Sequence, residues 1–221
     1  MGLALSLKRA LVYSHTYSGY DNFLPMETDA TLLNAARKMD EAALIEIFDR
    51  YALALYNYAF RLCSDPVVAD QIVGDVFAKL LEQLSMGNGP TTNLRSYLYE
   101  TTYHRLIDET RYLQRRVPLE VADWFHHGSD SAFLQLEDQI IFEQIVKAIR
   151  HELTDDQRHV IILRFMEEFS LRETAAIMGK TVDHIKVIQN RAIAALRKSL
   201  EGRGKKKTGL TSTLRRYVIT T

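Results

Sequence analysis

The sequence predicts an all-α protein of two helical modules joined by a flexible linker, the second module ending in a helix-turn-helix. Three observations point there. Apolar residues recur at helical spacing along most of the chain, and only four prolines and ten glycines interrupt its 221 residues. Helix-opening signals stand at Asp65-Pro66, at Thr154-Asp155-Asp156-Gln157 and at Ser170-Leu171-Arg172-Glu173. A polar stretch from Glu120 to Ser131, with His126, His127 and Gly128, separates the periodic regions. Hydrophobic residues make up 47% of the chain, enough to build a core.

In the first module, Thr28 or Asp29 caps a short helix through Lys38. A longer helix follows from Glu41 to Leu62, with Leu44, Ile47, Phe48, Tyr51, Leu55 and Tyr58 on its inner face. Asp65 caps the next helix and Pro66 takes its first position, where a missing N–H is harmless. That helix buries Val68, Ile72, Val73, Val76, Phe77, Leu80 and Leu84. Gly74 inside it costs ~1 kcal/mol relative to alanine, so either something packs closely on it or the helix is simply weaker. Met86 to Thr92 reads as a loop by composition. Asn93 caps a helix through Tyr112 that buries Leu94, Tyr97, Leu98, Leu106 and Ile107. Pro118 closes the module.

The second module begins near Phe133 with a helix to about Glu152. A capping box at Thr154–Gln157 opens a helix carrying Val160, Ile161, Leu163, Phe165 and Met166. A second capping box, Ser170 with Glu173, opens the first helix of the hairpin, whose inner face holds Leu171, Thr174, Ala175 and Met178. Gly179 suits the left-handed residue that ends such a helix. Thr181 caps the second helix, with Asp183 in its first turn. Val182, Ile185, Gln189, Ala192 and Leu196 line one side of that helix. Asp183, Lys186, Val187, Asn190 and Arg191 line the other. This is the geometry that places a second helix in the DNA major groove, and a capped, Gly-containing hairpin of this kind also occurs as a plain packing unit; the exposed polar face of the second helix favours DNA. Val187 and the neighbouring Ile188 count slightly against it, because apolar groups read only thymine methyls.

Twenty-eight basic and twenty-eight acidic residues leave a formal net charge of zero, but their distribution is uneven. Bases gather in the hairpin and in the Gly/Thr-rich tail from Gly202 to Thr221, while acids gather between Glu120 and Asp156. Such a distribution suits contact with DNA at one part and with protein at another, and it equally suits an acidic stretch that is an ordinary solvated face. A single cysteine, Cys63, excludes an internal disulfide and a cysteine zinc site. His126 and His127 with Asp123 and Asp130 lack the helical spacing of a metal site, and no phosphate loop, nucleophile elbow or carboxylate pair appears. The sequence therefore predicts no enzyme, no cofactor and no metal. No run is long enough to span a membrane and no signal peptide is read at the start.

With both modules laid out, the chain resembles bacterial sigma factors of the extracytoplasmic-function group in the sigma-70 family, over about Asp29 to Leu200. Asp65-Pro66 with Ala69-Asp70-Gln71-Ile72-Val73-Gly74-Asp75-Val76-Phe77 is similar to the family's DP and AEDLVQE run. Asn93-Leu94-Arg95-Ser96-Tyr97-Leu98-Tyr99, continuing to Leu106-Ile107-Asp108, looks like its aromatic-LY and ID segment. Leu153 to Leu163 resembles LPxxQRxVxxL, and Ile185 to Ile193 the variant VKVLQHRAL.

The resemblance implies a promoter-recognition subunit with no catalysis of its own. Residues 26–113 would form sigma region 2, 114–132 the linker, 133–201 sigma region 4 and 202–221 a basic tail. Asp70, Gln71, Asp75 and Lys79 would face the clamp helices of core RNA polymerase. Asn88, Asn93, Arg95, Tyr99, His104 and Arg105 would engage the melted downstream (−10) element. Arg172, Thr181, Asp183, His184, Lys186, Val187, Asn190 and Arg191 would meet the upstream (−35) duplex. Promoter DNA and core polymerase are the implied partners, an anti-sigma factor a further one, and the cytoplasm the implied location. The chain departs from the pattern at Gln71, Gly74, Tyr97, His104 and Ile188, and between Glu100 and Tyr103, where a basic residue is usual. Met26 looks like an ordinary family start, so residues 1–25 read as a start-site choice or a genuine extension. The competing reading is a stand-alone helix-turn-helix transcription regulator.

Overall fold

The computed structural model describes residues 28–113 and 145–201. The expectations for the N-terminal extension, the linker with His126 and His127, the start of the helix near Phe133 and the basic tail lie outside the described residues.

Helix α1 (Asp29–Ala36) starts at Thr28, whose side chain accepts from the Thr31 N–H. It ends two residues before the expected Lys38. Helix α2 (Glu41–Cys63) is capped by Asp40, which accepts from the Ala43 N–H. Helix α3 (Pro66–Ser85) is capped by Asp65, whose carboxylate accepts from Val67 and Val68. It ends in a Schellman motif: Asn88 N–H bonds to Gln83 O, Gly87 N–H bonds to Leu84 O, and Gly87 sits at φ 73°. Helix α4 (Leu94–Leu113) follows. Asn93 stands before it at φ 53°, a left-handed backbone that asparagine tolerates, and its carbonyl accepts from Tyr97.

The predicted inner faces of α2 and α3 are buried, Leu55, Tyr58 and Val76 completely, and the Phe48 and Phe77 rings meet at 4.8 Å. Val68, Tyr97 and Ile107 are only partly buried and pack at the margin of the core. Each fully buried Leu or Phe contributes about 1.5–3 kcal/mol, so truncating Leu55 to alanine costs about 2–5 kcal/mol. Nothing packs on Gly74: a Cβ there would meet no atom within 4 Å. It is a point of weakness in α3 and not a close-packing site.

In the second module, residues 145–152 are helical and form helix α5. Helix α6 (Asp155–Ile161) opens with the expected Thr154–Gln157 capping box. It does not continue as α-helix. Ile162–Met166 is a π-helical turn, closed by Glu167 N–H on Ile162 O. Glu168 then adopts φ 55°. Helix α7 (Leu171–Ile177) begins with the Ser170–Glu173 capping box. A second Schellman motif ends it: Lys180 N–H bonds to Ala175 O, Gly179 N–H to Ala176 O, and Gly179 has φ 60°. Thr181 Oγ1 accepts from His184 N–H at 3.2 Å and opens α8 (Val182–Glu201).

The sequence predicts two modules and a linker but says nothing of how the modules sit against each other. Here they pack together. One hydrophobic cluster runs from Leu32 in α1 through Tyr99 and Leu106 in α4 to Val160, Phe169, Ile177 and Ile188 in the second module. A smaller cluster of Ile145, Ile149, Leu153, Phe165, Ala192 and Leu196 ties α5 to α6 and α8.

Candidate nucleic-acid interface

Helix α8 presents the clearest surface. Ile185, Ala192 and Leu196 are fully buried and anchor one side. Thr181, Asp183, His184, Lys186, Val187, Asn190 and Arg191 are all exposed on the other, and Arg172 is exposed on α7. Ile188 is only 7% exposed, so it belongs to the core, and the sequence reading's reservation about it falls away. Lys186 Nζ lies 3.0 Å from the Asp183 carboxylate, an exposed pair worth little in water, which a phosphate can replace. The hairpin is braced from behind. Arg164 Nε donates to Gln189 Oε1 at 3.1 Å and its Nη1 to the Phe169 carbonyl. Lys180 pairs with Asp156 at 3.1 Å.

On α3, Asp70, Gln71 and Lys79 point outward, as the sequence predicts, and Asp75 is partly covered. Arg105 reaches across from α4 and pairs with Asp75. The candidate polymerase face and the candidate downstream-DNA face are thus joined by one ion pair.

The downstream-element candidates divide. Asn88, Asn93 and His104 are exposed. The loop carrying Asn88 is pinned by a residue the sequence reading missed: Arg37 Nη1 donates to the carbonyls of Gly89 (3.2 Å) and Pro90 (3.1 Å). Gly89 leaves room for Leu84 there, because a Cβ would stand 2.5 Å from Leu84 Cδ2 and displace that side chain.

Arg95 and Tyr99 are turned inward. With Tyr103 they form an i, i+4, i+8 stripe on α4 that faces the second module. Tyr99 is 1% exposed. Its hydroxyl donates to Glu167 Oε2, Arg95 Nη2 donates to the Glu167 carbonyl, and Arg61 of α2 pairs with Glu167 Oε1 at 3.1 Å. The Phe169 ring lies 4.0 Å from the Arg95 guanidinium carbon and meets Tyr99 edge-on at 4.8 Å. Burial raises the Glu167 carboxyl above its ordinary range, against the opposing pull of the Tyr99 bond and the Arg61 and Arg95 charges. Beneath this cluster the Tyr58 hydroxyl and His159 Nδ1 share a buried hydrogen bond of 2.8 Å. Arg61, Glu167 and His159 carried no sequence signal, because their partners lie in the other module.

Burial raises the Cys63 thiol to about 11, so it is held as a thiol and not a nucleophile. Among the described residues no group of His, Cys, Asp and Glu is placed to hold a metal ion.

The family model for sigma-70 region 2 matches residues 47–116, and that for sigma-70 region 4 matches residues 151–198. The chain is 28% identical over 160 residues to the ECF RNA polymerase sigma factor SigX of Bacillus subtilis, spanning 70% of this chain and 82% of that one. It is 35% identical over 156 residues to the RNA polymerase sigma-E factor of Streptomyces coelicolor, spanning 68% of this chain and 81% of that one. Among solved structures it resembles the sigma factor RpoE from Bartonella quintana, crystallised with the anti-sigma factor NepR. There the TM-score is 0.53 at 25% identity, covering 76% of this chain and 98% of that one. The two matched regions, in this order and on this fold, place the chain in the extracytoplasmic-function group of the sigma-70 family, the sigma factors that bind core RNA polymerase and direct promoter-specific transcription initiation.

Proposed function

We propose how the surfaces divide the work of this sigma factor. Residues 26–113 act as region 2 and residues 133–201 as region 4, with 114–132 as the connection and 202–221 as a basic tail. Asp70, Gln71, Asp75 and Lys79 on α3 meet the clamp helices of core polymerase. Asn88, Asn93, Arg95, Tyr99, His104 and Arg105 take up the melted downstream strand, whose unstacked bases bind to ring faces and guanidinium planes. Arg172, Thr181, Asp183, His184, Lys186, Val187, Asn190 and Arg191 meet the upstream duplex, phosphates fixing register and base edges giving sequence.

The observation that carries this reading is the exposed polar face of α8 opposite a fully buried Ile185–Ala192–Leu196 side, on a hairpin closed by a Schellman turn. The chain itself performs no catalysis. Polymerase supplies most of the nonspecific attraction for phosphate, which explains why a DNA-contacting subunit is neutral overall. Control by an anti-sigma factor is supported by the Bartonella relative, whose structure holds one. A cytoplasmic location follows from work on the chromosome. Among the described residues no helix is long and apolar enough to cross a membrane.

Run-off transcription with purified core polymerase on a library of candidate promoters tests the reading. Added chain should produce discrete start sites, and Asn190→Ala should weaken or relax their selection. Duplex binding without any polymerase-dependent start site would favour a stand-alone regulator instead.

A further inference from the structure

The Glu167 and Phe169 contacts go beyond packing. A carboxylate is received by a guanidinium on one oxygen and a phenol on the other, with a second guanidinium on the adjoining carbonyl. That is the reception a nucleic-acid phosphate is given. A flat aromatic ring lies against the Arg95 guanidinium and edge-on to Tyr99. That is the reception given to an unstacked base. Both groups come from the connection between the π-turn and α7, so the second module presents them to the first. They occupy Arg95 and Tyr99, which the proposed function assigns to the downstream strand. The outer face of α8 remains open.

We infer that Glu167 and Phe169 are an intramolecular occupant of the single-stranded DNA site on α4, standing in for a phosphate and a base, so that the closed chain can meet duplex DNA through α8 but cannot take up a melted strand until its modules part. This rests on the assignment of Arg95 and Tyr99 to the downstream element. The occupant and the strand then compete for one site, and the measured affinity for single-stranded DNA is reduced by the fraction of molecules that are open. The buried Tyr58–His159 bond and the shared apolar cluster hold the same closed arrangement. Displacing Glu167 alone therefore weakens the closure without abolishing it.

The test uses the full chain and a fluorescein-labelled single-stranded DNA pool of random sequence, because stacking and phosphate contacts tolerate sequence. Anisotropy gives affinity and small-angle scattering gives the radius of gyration. Glu167→Gln keeps the shape of the side chain and removes its charge. It should bind the single strand about tenfold more tightly than the parent chain and scatter as a more extended molecule. Arg61→Ala breaks the same contact from the first module, leaves the helix-turn-helix untouched, and should shift both readings in the same direction. Adding Arg95→Ala to either variant should remove the gain in affinity and keep the expansion. Binding of a random duplex pool should be equal throughout, which also reports an intact second module.

The inference is overturned if both variants bind the single strand as the parent does, whether or not they expand, or if the gain survives Arg95→Ala. Transcription with core polymerase separates this from the parent reading. If the parent chain initiates normally while the variants bind like it, only the occupant is lost. If the parent chain never initiates, the assignment beneath it fails.

Discussion

The Tyr58 hydroxyl and His159 Nδ1 lie 2.8 Å apart, joining residues 101 positions distant in the chain and belonging to different modules. Both side chains are sealed from solvent. Tyr103 closes over the imidazole edge-on at 4.8 Å. Tyr58→Phe removes one partner and leaves His159 Nδ1 buried without it. The expected cost to the closed arrangement is about 1–3 kcal/mol. Urea denaturation should register it as a lower midpoint, and scattering as a larger radius.

The same histidine makes closure sensitive to acid. Burial lowers His159 from its ordinary 6.5 to about 4, against the favourable fields of Asp155 and Asp156, and Arg158 and Lys180 add to the lowering. From α2 and α4 it faces the rings of Tyr58 and Tyr103. The unfolded chain binds this proton near pH 6.5 and the folded chain only near pH 4. The contribution of neutral His159 is therefore complete above about pH 6.5 and is lost as pH falls toward 4, by up to about 3 kcal/mol. Glu167 works the other way, because its carboxyl is raised in the fold and protonation there favours folding, so it softens the acid end of the curve. Denaturation midpoints at about pH 7.5 and about pH 5 should differ in the parent chain and converge in His159→Gln.

Gly74 is exposed in the middle of α3 with open space where a Cβ would stand. Gly74→Ala should raise stability by about 1 kcal/mol through helix propensity alone. A calorimetric melting temperature that falls would mean that the position carries a constraint absent from the folded chain.

Gly89 is the opposite case. Gly89→Ala drives a methyl into Leu84, which is 3% exposed. The side chain must shift, at about 1–3 kcal/mol. The loop that Arg37 holds shifts with it, so single-stranded DNA binding should fall in Gly89→Ala and in Arg37→Ala, whereas duplex binding should hold. Equal binding in both assays would show that the loop takes no part in strand capture.

On α8, Lys186→Ala should weaken every duplex alike and reduce the slope of log affinity against log salt by about 1. Asn190→Ala should instead relax selection at one base position, by about 1–3 kcal/mol. Competition binding with single-base variants of the upstream element distinguishes these outcomes.

Much of the fold was legible because its signals are local. Asp65-Pro66, Thr154 with Gln157 and Ser170 with Glu173 each fix a helix start within a few residues, and Leu44 to Tyr58 repeats at helical spacing. The outward face of α8 was legible for the same reason. Ile188 was misjudged because a helix with apolar residues at adjacent positions does not declare which one turns inward. The π-turn at Ile162–Met166 left no trace, since Ile-Leu-Arg-Phe-Met suits an ordinary helix. Glu167 could not be read at all: its partners Arg61 and Arg95 lie far away in sequence, and nothing in a Glu-Glu pair marks one member as buried.

A π-turn accommodates one residue more than the regular helix would. Everything after Met166 is therefore rotated by about 100° from where an uninterrupted α6 would carry it. Removing a single residue from Ile162–Met166 would restore regular winding and swing Glu167 and Phe169 away from α4, while the hairpin itself would stay intact. His159 precedes this turn and would keep its bond to Tyr58, so such a deletion would free Arg95 and Tyr99 from their occupant while the modules stayed in touch, separating the hold on the strand site from the hold between the modules.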